Sequence, residues 1–560
     1  MNSTKESEMK RQPCSVTNER RSANYKPNIW SYDFVQSLTS EFTTATYKER
    51  AEKLKNEIMH IFSREPGFSK PYIVETITNL GLSNVLHKEI MDALESITID
   101  LNNNVGFEED ILISDTALSF RLLRQHGYNI SQDIFAGFIG ETGLLKERMD
   151  SKIDPRRVLE LYEASHLAVD GEEIMEKAKD ISSLYLIDSY LDMDDKLAKQ
   201  VSSSLRIPCH RKVQWFDVKQ QIHAYEQEDN KNVILLELAK LNFNIVQAVH
   251  LEDLKELSRW WKNLGFIENI SFTRDRLVES FLWTVGVACE PQHGLLRKCL
   301  TKVVSFVLVL DDTYDIYGSL DELICFTRIV ERWDYQEVDE LPECMKICFQ
   351  ALVTTTSEIA DDIQKEKGWN DDISHFLRMA WADFCKALLM EAWWYKKRHV
   401  PSLQDYLKSA WISSSGPLLS LICLLCTADG NSEELEDKWE DNEDLIFYTS
   451  LIIRLLNDQG TSAVELERGD AHSSILCYMA EASVTEEIAR EHMKDIINSA
   501  WRKINMELLS ASIHEQKFVN LVINTARVCH FIYQKGDGFS VQDGGTKKKI
   551  KRLLIEPIQL

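Results

Sequence analysis

The sequence predicts an all-α fold built as two helical domains. Three observations carry that expectation. Glycine and proline are sparse, at 21 and 11 of 560 residues, whereas many short strands joined by tight turns would need more of both. Apolar residues recur at helical spacing along most of the chain, and no run of useful length alternates as a half-buried strand would. The length supplies material for about three to four ordinary domains, and 44% hydrophobic with 27% charged residues belongs to a folded globular chain.

Residues 1–24 are polar and of mixed charge, with Glu6, Glu8 and Glu19 among the lysines and arginines. They lack the acid-poor character of a transit peptide, so a flexible tail and a cytoplasmic location are expected. An N-terminal helical domain is expected over 25–228, where Tyr47 to Phe62, Val85 to Ile97 and Arg157 to Leu167 show helical periodicity. The polar stretch Glu226 to Asn232 then precedes Ile234, Leu238, Leu241, Ile245 and Val249 on one helical face, which places a second domain over 229–560. The longest apolar run, Pro417 to Ala428, is shorter than the ~20 residues of a spanning helix and reads as a core helix, with Cys423 and Cys426 as packing. Lys535 to Arg552 holds four glycines and a lysine cluster and is expected to be a flexible lid ending in a solvated basic run. The twelve cysteines are scattered without the spacing of a disulfide scaffold, which fits a reducing compartment.

The formal charge is 64 basic minus 89 acidic, or −25. Such a surface repels phosphate backbones and anionic lipid, so neither a nucleic-acid partner nor membrane insertion is expected. A small anionic substrate binds such a chain only where arginine, lysine or a divalent cation reverses the local sign.

Two acidic motifs meet that condition. Asp311, Asp312 and Asp315 stand in DDTYD after the apolar run Val303 to Leu310. On a helix Asp311 and Asp315 share a face, and the crowded carboxylates call for a hard cation such as magnesium. The competing reading is a solvated acidic helix end. In NDQGTSAVE, Asn457, Thr461 and Glu465 are each four residues apart and line one stripe, a spacing that alone arises often by chance and reads first as a polar solvent face. Two oxygen-rich helix faces converging across a bundle can hold divalent ions. Arg274, Arg276 and Arg454 offer guanidinium forks suited to phosphate oxygens, although single arginines usually serve surface ion pairs. Trp283, Trp393, Trp394, Tyr395 and Tyr533 are candidates for aromatic faces toward a cation, with Trp283 foremost.

Taken together, these residues resemble the plant class I terpene synthases. The likeness runs from Arg20-Arg21 with Trp30 nine residues after Arg21, through RDR at 274–276, DDTYD and NDQGTSAVE, to Gly536-Asp537-Gly538-Phe539. The stretches NYKPNIW (24–30), VQWFDVK (213–219), LPECMKICFQ (341–350) and 460–470 are similar to members that make an acyclic fifteen-carbon product. The resemblance implies a catalytically inactive N-terminal domain resembling a glycosyl-hydrolase-like α-barrel and a C-terminal class I terpenoid synthase bundle. It implies magnesium, with manganese as an alternative, held by Asp311, Asp315, Asn457, Thr461 and Glu465, with Asp312 in support. Arg274, Arg276 and Arg454 would receive the diphosphate of a prenyl diphosphate together with the metal-bearing Asp311. The 1–24 strap and the lid around Asp537 would close over an allylic cation, with the released diphosphate, Tyr533 or Asp537 as the final base, in a monomeric lyase. The Ser413 to Pro417 stretch would break a helix beside that cation.

Two features depart from or compete with this reading. Gln459 stands where the family usually has leucine, isoleucine or valine. Asp192-Met193-Asp194-Asp195 has the pattern of a protonation-initiated cyclase, but its polar, lysine-flanked setting reads as a solvated helix end. A monoterpene synthase using geranyl diphosphate and a non-catalytic helical scaffold are the alternative functions.

Overall fold

The computed structural model describes residues 25–64, 69–103, 113–139, 154–265, 269–270, 272–429, 432–468, 472–534, 536–539, 542 and 544–560, without the side chains of 63–64, 102–103 and 463–468. Arg20 and Arg21 lie outside the described residues. The regular elements among the described residues are all helices, and Gln534 and Gly536 form an isolated bridge.

In the N-terminal half the periodic segments form the helices Ala45–Arg64, His87–Asn103 and Pro155–Ser165. The last begins where it does because Asp154 accepts from the Arg156 amide at 3.0 Å and Pro155, which needs no amide partner, occupies the first turn. Asp194 of the DMDD stretch has the same local role. Its carboxylate caps the helix Asp195–Arg206 through the Leu197 amide at 2.8 Å and pairs with Arg156 at 3.0 Å. It is a helix cap, as the polar setting predicts.

The polar link after Gln214–Glu226 ends at Asn232, whose side chain accepts from the Ile234 and Leu235 amides, both at 3.0 Å, and starts the helix Val233–Asn263. This long helix packs against Ala45–Arg64 on one side and against Leu277–Val287 and Gly294–Asp312 on the other. A single apolar cluster consequently runs from Trp30 to Ile558 through both halves, and two smaller ones lie within the N-terminal half. Val233–Asn263 and the stretch Leu403–Thr427 are long and apolar enough to cross a membrane by composition, yet 67% of each such window is buried within the molecule. Both are core elements, and the second is two helices, Leu403–Ser413 and Gly416–Thr427, separated at Ser414 and Ser415, the latter with φ of 66°. Gly416 lets the second of these helices lie against Ser450, whose side chain fills the place a Cβ would take. Cys423 is fully buried, and the Cys426 thiol lies against Cys299, so the CxxC is core packing.

The C-terminal segment differs from expectation. Gly544–Ile550 is a helix followed by a π turn over Lys551–Ile555. The reason is that Ile550, Leu553 and Leu554 are fully buried, while Gln247 donates to the Leu553 carbonyl at 3.0 Å and Lys219 to that of Glu556 at 2.6 Å. Apolar anchoring outweighs the local lysine repulsion there.

Candidate active site

One cavity opens among the C-terminal helices, and most of the residues singled out in the sequence line it: Arg274, Trp283, Asp311, Asp315, Arg454, Asn457, Thr461, Tyr533 and Asp537. Its first wall is the end of the helix Gly294–Asp312. Within DDTYD, Thr313 and Tyr314 are buried, the Thr313 hydroxyl donating to Val309 O at 2.7 Å and the Tyr314 hydroxyl meeting that of Thr327 at 2.7 Å. They anchor the turn that carries the aspartates.

The helix does not continue as expected. Thr313–Tyr317 is a π turn closed by Gly318 N donating to Thr313 O at 2.8 Å, so Asp311 and Asp315 are not spaced by one α-helical turn although both reach the cavity. Asp312 does not line the cavity. Its side chain is 1% exposed against 36% for Asp311, and it accepts from the Arg274 amide at 2.8 Å, the Thr273 hydroxyl at 3.1 Å and the Tyr25 hydroxyl at 2.9 Å. The Arg274 guanidinium bridges Asp311 and Asp312. Burial opposes its charge, but Asp312, Tyr25 and Asp311 together hold it well above the ordinary arginine value. Arg274 is therefore a fixed cation at the cavity edge.

The opposite wall is the helix Glu443–Arg468, which packs on Glu486–Ser510 and Gln516–Ile532. Arg454 donates to Asn457 Oδ1 at 3.2 Å, to the Ser413 hydroxyl at 2.9 Å and to the Ala410 carbonyl at 3.2 Å, so the broken helix beside it supplies part of its cradle. Thr461 donates to the Asn457 carbonyl at 3.0 Å. Gly460 lets this helix approach Tyr533, since a Cβ there would sit 3.1 Å from Tyr533 Cβ. Burial holds the Tyr533 hydroxyl well above the ordinary tyrosine value, so it stays protonated beside Asn457. Glu465 belongs to the same helix, but its side chain lies outside the described residues.

Several functional-looking groups were not singled out by sequence. Glu391 is buried and accepts from the Ser413 hydroxyl, while Asp458 is 1% exposed, accepts from Tyr406 and the Ser474 amide, and lies 3.7 Å from Arg454. A carboxylate inside the apolar stretch Leu388 to Trp394 was a legible sign of such a partner. Arg276 stands apart from the cavity lining and donates to the carbonyls of Asp275, Lys26 and Phe539. Trp393, Trp394 and Tyr395 do not line the cavity; Trp394 packs with Tyr406 and Ala410 in a separate cluster.

The described residues facing the cavity offer carboxylate, amide and hydroxyl oxygens on two walls, the donor set of a hard cation such as magnesium. Among the described residues no three His, Cys, Asp or Glu side chains gather at one point, so the donors suit ions held between the walls with a ligand's oxygens completing them. With Arg274 and Arg454 beside the two walls and Trp283 in the lining, the arrangement is that of an enzyme handling a polyanionic substrate through divalent metals.

The comparisons with known proteins give this class its family. Residues 29–205 match the terpene synthase N-terminal domain and 262–503 match the terpene synthase family metal-binding domain. The chain is 47% identical over 563 residues to the (E,E)-alpha-farnesene synthase of Malus domestica, covering 99% of this chain and 97% of that one. It is 47% identical over 548 residues to the alpha-farnesene synthase of Ricinus communis (97% and 96% covered) and 41% identical over 547 residues to the (-)-alpha-terpineol synthase of Vitis vinifera (97% and 92%). Its fold superposes with a TM-score of 0.91 on limonene synthase crystallised with 2-fluorolinalyl diphosphate, at 34% identity, covering 96% of this chain and 100% of that one. Isoprene synthase from grey poplar leaves, in complex with three Mg2+ ions and dimethylallyl-S-thiolodiphosphate, gives 0.84 at 38% identity, with 95% and 99% covered. The chain belongs to the terpene synthase family.

Proposed function

We propose that this chain converts farnesyl diphosphate to (E,E)-alpha-farnesene and diphosphate. The observation that carries the reading is its 47% identity to alpha-farnesene synthases from two plants over nearly their full lengths, against 41% to a terpineol synthase. In this reading Asp311, Asp315, Asn457, Thr461 and Glu465 hold magnesium, while Arg274 and Arg454 face the diphosphate. Arg276 and Asp312 act behind them, since neither lines the cavity. Magnesium, when bound, supplies the positive charge that stabilises the departing diphosphate.

The chain's own residues do the rest. Asp312 and Tyr25 hold the Arg274 fork in place before the substrate arrives, and Glu391, Asp458 and Ser413 do so for Arg454, so little reorganisation is needed as charge develops. Trp283 and Tyr533 line the cavity, and in this reading their aromatic rings stabilise the allylic cation. The C1–O bond breaks with its electron pair going to the diphosphate, and the farnesyl cation then loses one proton to the diphosphate or to Asp537 without ring closure. A division at residues 228 and 229 belongs to the same reading and is supported by the polar link between the helices Gln214–Glu226 and Val233–Asn263.

The second reading is a ten-carbon substrate, geranyl diphosphate, which the resemblance to the terpineol synthase favours. Gas chromatography with mass detection on products from each diphosphate with magnesium separates the two. An acyclic fifteen-carbon hydrocarbon that disappears with chelator is the expected product; ten-carbon products alone contradict it.

A further inference from the structure

Two chain segments far apart in sequence meet at the first turn of the helix Leu277–Val287. Glu279, 2% exposed, accepts at one oxygen, Oε1, from the Trp30 indole at 3.0 Å and from the Gln542 amide at 2.8 Å. Arg276, also 2% exposed, donates to the Lys26 carbonyl at 3.0 Å and the Phe539 carbonyl at 2.9 Å. The segments touch each other as well: the Ile29 amide donates to Gln542 Oε1 at 3.3 Å, and Gln542 Nε2 reaches Asn28 Oδ1 at 3.4 Å. Asn28 is itself tied to Asp275 at 2.9 Å. Residues 25–30 thus form one side of a clasp, and 536–539 with Gln542 the other. Tyr25 and Asp537 line the cavity at their ends.

We propose that Glu279 and Arg276 are positioning residues that couple these two segments, so that neither seals the cavity unless the other is seated. Neither side chain lines the cavity; each acts through the segments it holds. The chemistry of both groups suits a clasp. A buried carboxylate oxygen accepting two hydrogen bonds, and a buried guanidinium whose donors are spent on carbonyls, fix backbone position at two places without reaching a ligand. The consequence for catalysis rests on the proposed function. With the clasp loosened, water enters, its oxygen bonds to the allylic cation, and the added water gives up a proton to solvent, so an alcohol forms in place of the hydrocarbon.

The test is hydrogen–deuterium exchange by mass spectrometry on the full chain with magnesium and inorganic diphosphate, for the wild type, Glu279→Leu and Glu279→Gln. Glu279→Leu should speed amide exchange roughly three- to tenfold in both segments, the factor expected for losing a hydrogen bond of ordinary strength. Glu279→Gln keeps an oxygen acceptor at the same place and should retain wild-type protection. Faster exchange in one segment alone, or in neither, overturns the coupling. Should Glu279→Leu fail to fold by circular dichroism, Trp30→Phe removes a single donor and should loosen the side holding Phe539 and Gln542 as well as its own segment; loosening of its own segment alone overturns the proposal. In turnover, the alcohol fraction should rise several-fold in Glu279→Leu, and an unchanged fraction contradicts the sealing role. If the wild type ionises neither farnesyl nor geranyl diphosphate, the functional reading fails, while the exchange result still decides the coupling.

Discussion

The Arg274 amide and guanidinium both address Asp312, the amide at 2.8 Å and Nε at 3.2 Å to the same oxygen, while the far end of the guanidinium reaches Asp311. One aspartate of the motif orients the arginine and its neighbour shares that arginine with the cavity. Replacing Asp312 by alanine leaves a buried guanidinium without its main partner. The expected outcome is a loss of about 3–5 kcal/mol in urea unfolding, together with a fall in turnover. Arg274→Lys should keep most of the stability and lose turnover, because an ammonium does not reproduce the fork.

Gly460 lets Tyr533 approach the Glu443–Arg468 helix, with Tyr533 O only 3.2 Å from where a Cβ would lie. Gly460→Ala forces that contact apart. Overpacking of this kind costs about 1–3 kcal/mol, and the shift should lower kcat more than thermal stability alone explains. Steady-state kinetics alongside a melting curve checks it.

Gln459, an amide within NDQGTSAVE, is held by its surroundings. Its amide donates to the Arg490 carbonyl at 2.9 Å, and Arg490 returns hydrogen bonds to Gln459 O at 2.8 Å and Oε1 at 3.0 Å. Gln459→Leu should cost about 1–3 kcal/mol, the penalty of leaving the Arg490 donor and carbonyl short of partners. Chemical denaturation of the variant gives the number.

His530 makes stability depend on pH. Its Nε2 lies 3.1 Å from the Trp501 indole N–H and must be unprotonated to accept that bond, while burial and then Arg211 lower its pKa to about 3. The unfolded chain therefore binds a proton that the native one refuses. The contribution is complete above about pH 6.5, the free histidine value, and is lost as pH falls toward the native value, by about 2 kcal/mol at pH 5 for this one group. Urea midpoints measured at pH 7 and pH 5 should show a smaller difference for His530→Gln than for wild type.

The helical pattern made most of the fold legible, because a core that runs from Trp30 to Ile558 writes its spacing into every helix that contributes to it. The two oxygen-rich motifs, DDTYD and NDQGTSAVE, were legible as well, because their carboxylate, amide and hydroxyl side chains recur four residues apart. What could not be read were relationships between elements. Nothing local in Tyr25 shows that its hydroxyl meets Asp312, 287 positions away, nor in Glu391 that it backs Arg454. The π turn after Asp312 was equally hidden, since it depends on the buried anchors Thr313 and Tyr314 finding partners in Val309 and Thr327. The lysine-rich C-terminal run misled because its charges are conspicuous and its buried Ile550, Leu553 and Leu554 are few.

The measurement that bears most directly on the two-walled cavity is the rate of diphosphate release from farnesyl diphosphate by wild type, Asp311→Ala and Thr461→Val, with magnesium and with chelator, each protein first shown to melt as a folded chain. If oxygens from both walls hold the ionising metals, Asp311→Ala should lose on the order of 10³-fold or more in rate, as removal of a principal charge-stabilising group does. Thr461→Val should lose less but raise the magnesium concentration needed, and chelator should stop the wild type. Wild-type release from Asp311→Ala, or release that chelator leaves untouched, would contradict this assignment.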